Sequence, residues 1–196
     1  MIGGANAANL MQLSMLDQRS ARLIAGVQSG ALNADEFREL QMMVNGQSQQ
    51  TGQGVSVEGD YAPGMLGMVQ RDQAESRAHF EDMSQAQARF DELYEEYTHG
   101  DYHPTTYPEN GVESREMEQI DSLYEGLTNG SVTAEEARVV LSTQRDASFQ
   151  LGVAEQDGTV TGQESSGVHT RLNDAAAQLD RARRGELLPP KLPTFP

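Results

Sequence analysis

A repeat at a fixed distance constrains the fold of this chain more than any other feature. Displaced by 100 positions, the stretch Ile24–Leu40 falls on Tyr124–Val140 and lays Gly30 on Gly130. The same displacement superposes Leu23 on Leu123, Gly26 on Gly126, Ala34 on Ala134, Glu36 on Glu136 and Arg38 on Arg138. A second glycine pair, Gly59 and Gly158, follows at a displacement of 99. A duplicated block with two glycine-centred turns between helices accounts for all of these matches.

The helices around those turns follow from spacing. Leu13, Leu16, Ser20, Leu23 and Val27 alternate three- and four-residue steps, an amphipathic helix that ends near Gly26. Asn33 and Glu36 then open a second helix that carries Phe37, Leu40 and Val44. The Gln-, Ser- and Gly-rich stretch 46–54 reads as a loop or a fraying end. Pro63 suits the first position of a long helix over 63–97, with a stripe of Phe80, Met83, Ala86, Phe90, Leu93 and Tyr97. In the second block Met117, Ile120, Tyr124 and Leu127 share one face. Thr133/Glu136 and Thr161/Glu164 open two further helices, the last carrying Val168, Leu172, Ala175 and Leu179.

The expected class is therefore all-α: two helix–turn–helix pairs, with single short β-bridges between paired loops at Val55–Val57, Leu32, Tyr61, Val132 and Val160. Residues 1–99 form the first pair, with the Gly30 and Gly59 turns, and 100–112 a linker containing Pro104 and Pro108. Residues 113–186 form the second pair, with the Gly130 and Gly158 turns. Residues 187–196 form an extended, proline-rich tail.

Charge and composition narrow the partners. A net charge of −16 opposes nucleic acid, whose phosphates need a basic surface, and disfavours anionic lipid. The basic residues are arginines apart from Lys191, and the absence of cysteine removes disulfides, thiolate metal sites and cysteine nucleophiles. No apolar run spans a bilayer and residues 1–9 carry no basic-then-apolar signal pattern, so a cytoplasmic protein, or one incorporated in an assembly, is expected.

The turn Asp157-Gly158-Thr159-Val160-Thr161-Gly162-Gln163-Glu164 places an apolar residue two positions after the glycine and Glu six after it. Asn129-Gly130-Ser131-Val132-Thr133-Ala134-Glu135-Glu136 repeats this, and Ser29-Gly30-Ala31-Leu32-Asn33-Ala34-Asp35-Glu36 repeats it more loosely. Around Gly59 only the glycine and Tyr61 remain, with Met65 in place of Glu. The pattern resembles the second half of an EF-hand calcium loop, and four such units in two pairs resemble the four-EF-hand arrangement. Leu23–Leu40 is also similar to bacterial proteins built of repeated helical hairpins.

The residues themselves call for no cofactor; the resemblance implies calcium as the possible one, held in the fourth loop by Glu155, Asp157, the Thr159 carbonyl and Glu164. In the third it implies Glu125, Asn129, the Ser131 carbonyl and Glu136. Against a full ligand set, Val153 stands where the fourth loop needs its opening carboxylate and Leu127 where the third needs its second ligand. The first loop has Ala25 and Val27 at its first two ligand positions. Asn33/Glu36, Thr133/Glu136 and Thr161/Glu164 are equally explained as helix starts, which need no metal.

Two other groups stand out. His99 and His103, near Glu95 and Glu96, could ligate a transition metal but match no standard zinc spacing. Tyr94, Tyr97, Tyr102 and Tyr107 suit either an interface or the joint between halves. No nucleophile elbow, phosphate loop or zinc-protease motif is present. The expectation is a non-enzymatic structural or interaction protein with protein partners, in an assembly or homo-oligomer, with a calcium-binding regulator as the alternative.

Overall fold

The computed structural model describes residues 4–53, 84–99 and 111–187, and every regular element within them is an α-helix. These are α1 (Gly4–Gln28), α2 (Ala34–Gln53), α3 (84–98), α4 (Gly111–Thr128), α5 (Ala134–Ala154) and α6 (Gly162–Arg183). The protein is all-α, and no described helix is long and apolar enough to cross a membrane. The Gly59 turn, the first part of the 63–97 helix, residues 100–110 of the linker and the tail from 188 lie outside the described residues. So do Val55–Val57, Tyr61, Phe80 and Met83.

The spacing of two glycines explains how α1 turns into α2 and α4 into α5. Gly30 and Gly130 take φ of +73° and +75°, the left-handed region that closes a helix at little cost only for glycine. This conformation turns the chain back, so the N–H of Leu32 donates to the Gly26 carbonyl at 3.2 Å and that of Val132 to Gly126 at 3.0 Å. Leu32 and Val132 are thereby folded onto the helix they follow. A Cβ at Gly26 would lie 2.6 Å from Leu32 Cδ1, and one at Gly126 2.5 Å from Val132 Cγ2. The earlier glycine makes room for the apolar residue and the later one supplies the turn.

This corrects the expectation of β-bridges, since no strand or bridge occurs among the described residues. The N–H groups of Leu32 and Val132 are already bonded within their own turns, and both side chains are buried in the core. Val160 in the third described turn is instead 41% exposed. Nothing lies within 4 Å of a Cβ built at Gly130, so Gly130→Ala tests the turn conformation alone. The expected loss is about 1–2 kcal/mol, the cost of an L-residue in the left-handed region, measured as a shift in urea midpoint.

Most of the apolar stripes meet in one large core. Leu16, Leu23 and Val27 of α1 and Phe37, Leu40 and Val44 of α2 join Phe90, Leu93 and Tyr97 of α3. Ile120, Leu123 and Leu127 of α4, Val140 and Leu141 of α5 and Leu179 of α6 complete it, while Val168 and Leu172 of α6 form a smaller cluster with Ala147 of α5. On α1, Arg22 lies 3.9 Å from the ring centroid of Tyr94 and Arg19 5.3 Å from that of Phe90, so two cations cover the aromatic face of α3. Arg22 also pairs with Asp91 (2.6 Å) and Glu95 (2.9 Å).

The stretch expected as a loop from residue 46 is helical through Gln53, because packing overrides the weak local propensity of Gly46 and Gly52. The C-terminal half of α2 lies against that of α5. The buried Ser48 hydroxyl donates to the Arg145 carbonyl at 2.8 Å, and the Gln49 amide donates to Glu155 at 2.8 Å. At their nearest approach, a Cβ at Gly152 would stand 1.9 Å from the Gln49 carbonyl oxygen.

Candidate functional site

The glutamate six residues after the glycine is held by the protein at each described turn. Glu36 accepts the Asn33 N–H at 2.7 Å, while Asn33 Oδ1 accepts the Glu36 N–H at 3.1 Å. Glu136 accepts the N–H of Thr133 at 2.9 Å and its hydroxyl at 2.8 Å. Glu164 accepts the corresponding groups of Thr161 at 2.8 and 2.6 Å. Each arrangement is a closed capping box that satisfies N–H groups at a helix start. The Thr161 hydroxyl, with the backbone N–H adding to it, holds the Glu164 carboxyl below the usual carboxylate range.

The other candidate ligands have local partners too. Asp157 Oδ1 accepts the Thr159 N–H at 2.9 Å, and Asn129 Oδ1 accepts the Ser131 N–H at 2.9 Å, side-chain turns that shape the loops. Glu155 accepts from Gln49, and Glu125 lies 3.3 Å from Arg183. Among the described residues no group of three or more His, Asp or Glu is placed to hold a metal ion.

His99 closes the end of α3, its Nδ1–H donating to the Glu95 carbonyl at 2.6 Å; His103 lies outside the described residues. Tyr97 is buried, and the Tyr94 hydroxyl reaches the Arg22 carbonyl at 3.4 Å. These two tyrosines join α3 to the rest of the bundle; Tyr102 and Tyr107 lie outside the described residues.

A feature with no counterpart in the sequence reading lies at the centre of the bundle. Gln41, Asn45 and Ser48 of α2, Glu116 and Gln119 of α4, and Gln144, Arg145 and Ser148 of α5 are all buried. The Gln144 amide donates to Gln119 at 2.9 Å, the Gln119 amide to the Leu172 carbonyl at 2.8 Å, and Gln41 to Asn45 at 3.0 Å. The Ser148 hydroxyl donates to Glu116 at 2.6 Å. Burial raises the Glu116 carboxyl to about 7, against the lowering effect of Ser148 and Asn45, and the nearby charge of Glu113 raises it further.

Register was the available signal for this polar layer. Gln41, Asn45 and Ser48 continue the inward positions of Phe37 and Leu40, and Gln144 and Ser148 continue those of Ala137 and Leu141.

Two open grooves border α5. One, about 800 Å³, runs between the end of α5 and the start of α6 and includes Thr161 and Glu164 on its wall. The other, about 810 Å³, lies between α1 and α5, with Arg145 on its wall. No protein-family model, curated protein or solved structure matches this chain.

Proposed function

We propose that this chain is a non-enzymatic helical scaffold, built of EF-hand-like helix–turn–helix units, that serves as a subunit or accessory of a larger assembly. The observation that supports this most is the matched construction of the turns. In both the Gly26–Glu36 and Gly126–Glu136 segments, one glycine clears space, the next closes the helix, and the glutamate caps the helix that follows. Every part of the repeated pattern thus has a structural task, which suits a frame for presenting helix surfaces.

With only Val160 exposed among the large apolar side chains whose burial is described, partners would meet a polar and acidic surface there, and a basic protein face is the best complement. Sedimentation of the native protein from its own extract tests the reading. The expected result is a stable complex well above the 21.4 kDa of one chain. A lone monomer that associates with nothing at native concentration would contradict it.

The alternative is a calcium-responsive protein. It draws support from the exposure of residues 156–164, where Asp157 and Glu164 face solvent close together in sequence.

A further inference from the structure

The groove between α1 and α5 holds the least satisfied cation among the described residues. Arg145 is 4% exposed, yet its Nε and Nη1 have no hydrogen-bond partner. Only Nη2 is engaged, by the carboxylate of Asp17. A guanidinium carries five N–H donors, and leaving several of them buried and unpaired is strongly unfavourable. The Ser20 hydroxyl, on the same groove wall, is also buried and unpartnered.

We infer that this groove binds a small molecule bearing a compact oxyanion, a carboxylate or a phosphate, with Arg145 as its anchor and Asp17 as the group it displaces. The Asp17 side chain is 65% exposed, so it can rotate into water and release Nη2 while the arginine stays in place. An incoming oxyanion then has the guanidinium and the Ser20 and Ser142 hydroxyls of the wall within its groove. Arg138 stands on the same wall and gives a second positive charge. With Asp17 and Glu135 opposing them, the groove is locally neutral on a chain of net charge −16. Anions are repelled from most of such a surface, so saturable uptake points to a particular place. A volume of about 810 Å³ is in the range of small-molecule sites.

Calorimetric titration of the full chain with inorganic phosphate and, separately, with succinate tests this and distinguishes the two oxyanions. The expected result is saturable one-to-one binding of at least one of them. Asp17→Ala should tighten it about fivefold or more, because the competing carboxylate is gone, and Arg138→Gln should weaken it severalfold. Arg145→Gln should abolish it, whereas Arg171→Gln, outside the groove, should leave it unchanged. If Arg145→Gln does not fold, the opposite responses of Asp17→Ala and Arg138→Gln carry the test. No saturable heat from either anion at 20 mM, or binding indifferent to Asp17 and Arg138, would overturn the inference.

Discussion

Glu116→Gln is expected to stabilise the protein by about 3 kcal/mol at pH 8 and to leave its stability nearly unchanged at pH 4. The Glu116 carboxyl titrates near 7 in the folded protein, against an ordinary value of 4.5. It is raised because the charged form has been withdrawn from water between α4 and α5, a cost that the hydrogen bonds from Ser148 and Asn45 offset only in part. Below the unfolded value both states are protonated and the group exerts no pH-dependent effect. Between 4.5 and about 7 the unfolded chain loses its proton and the folded chain keeps it, so stability falls by about 1.4 kcal/mol per pH unit.

Above 7 that penalty is complete. Glutamine keeps the carbonyl that accepts from Ser148 and cannot ionise, so the penalty is absent from the variant. Urea unfolding of both proteins across pH 4–8 measures the difference directly, other titrating groups being common to both. A stability difference that does not vary with pH would show that Glu116 is not a buried acid.

Gly152→Ala should cost at least about 3 kcal/mol, at or beyond the upper end of the usual overpacking penalty. The added methyl would stand 1.9 Å from the Gln49 carbonyl oxygen, 2.7 Å from its carbon and 3.1 Å from its Cα. All three are backbone atoms of α2, so no side-chain rotation can relieve the contact. The two helices would have to separate, loosening the Ser48–Arg145 and Gln49–Glu155 hydrogen bonds together.

Gly46→Ala is the natural comparison, because it lies within α2 with nothing inside 4 Å of its Cβ. Helix propensity there predicts a gain of about 1 kcal/mol. Chemically identical substitutions should therefore act in opposite directions, as read by thermal and urea unfolding. A neutral Gly152→Ala would mean that α2 and α5 do not approach as closely as described.

The parts of this fold that were legible in the sequence are those set by local chemistry. Helical periodicity placed Leu16, Leu23 and Val27, Phe37, Leu40 and Val44, and Val168, Leu172, Ala175 and Leu179 on buried faces. Cap residues three positions before a glutamate marked the starts of α2, α5 and α6, because Asn33, Thr133 and Thr161 need only their own helix to act. Tertiary contacts decided the rest. The Gln- and Ser-rich end of α2 looks like a loop in isolation and becomes helix only where α5 accepts its side chains. Gly26 and Gly126 appeared as repeat markers, while their purpose depends on where Leu32 and Val132 come to rest.

The candidate site was legible in a similar way. The motif located the turns, but it could not distinguish a carboxylate facing an ion from one closed onto a backbone N–H. The buried polar layer was missed because Gln144 and Ser148 are unremarkable residues until the register of α5 turns them inward.

Calorimetric titration with calcium, paired with thermal unfolding of the metal-stripped full chain, tests most directly whether the repeated glycine–glutamate turns frame the fold or hold an ion. Glu36, Glu136 and Glu164 are each closed onto the residue three before them, so the scaffold reading predicts no saturable heat and an unchanged Tm at millimolar calcium. Saturable uptake with a rise in Tm, lost in Glu164→Gln or Glu136→Gln, would contradict it.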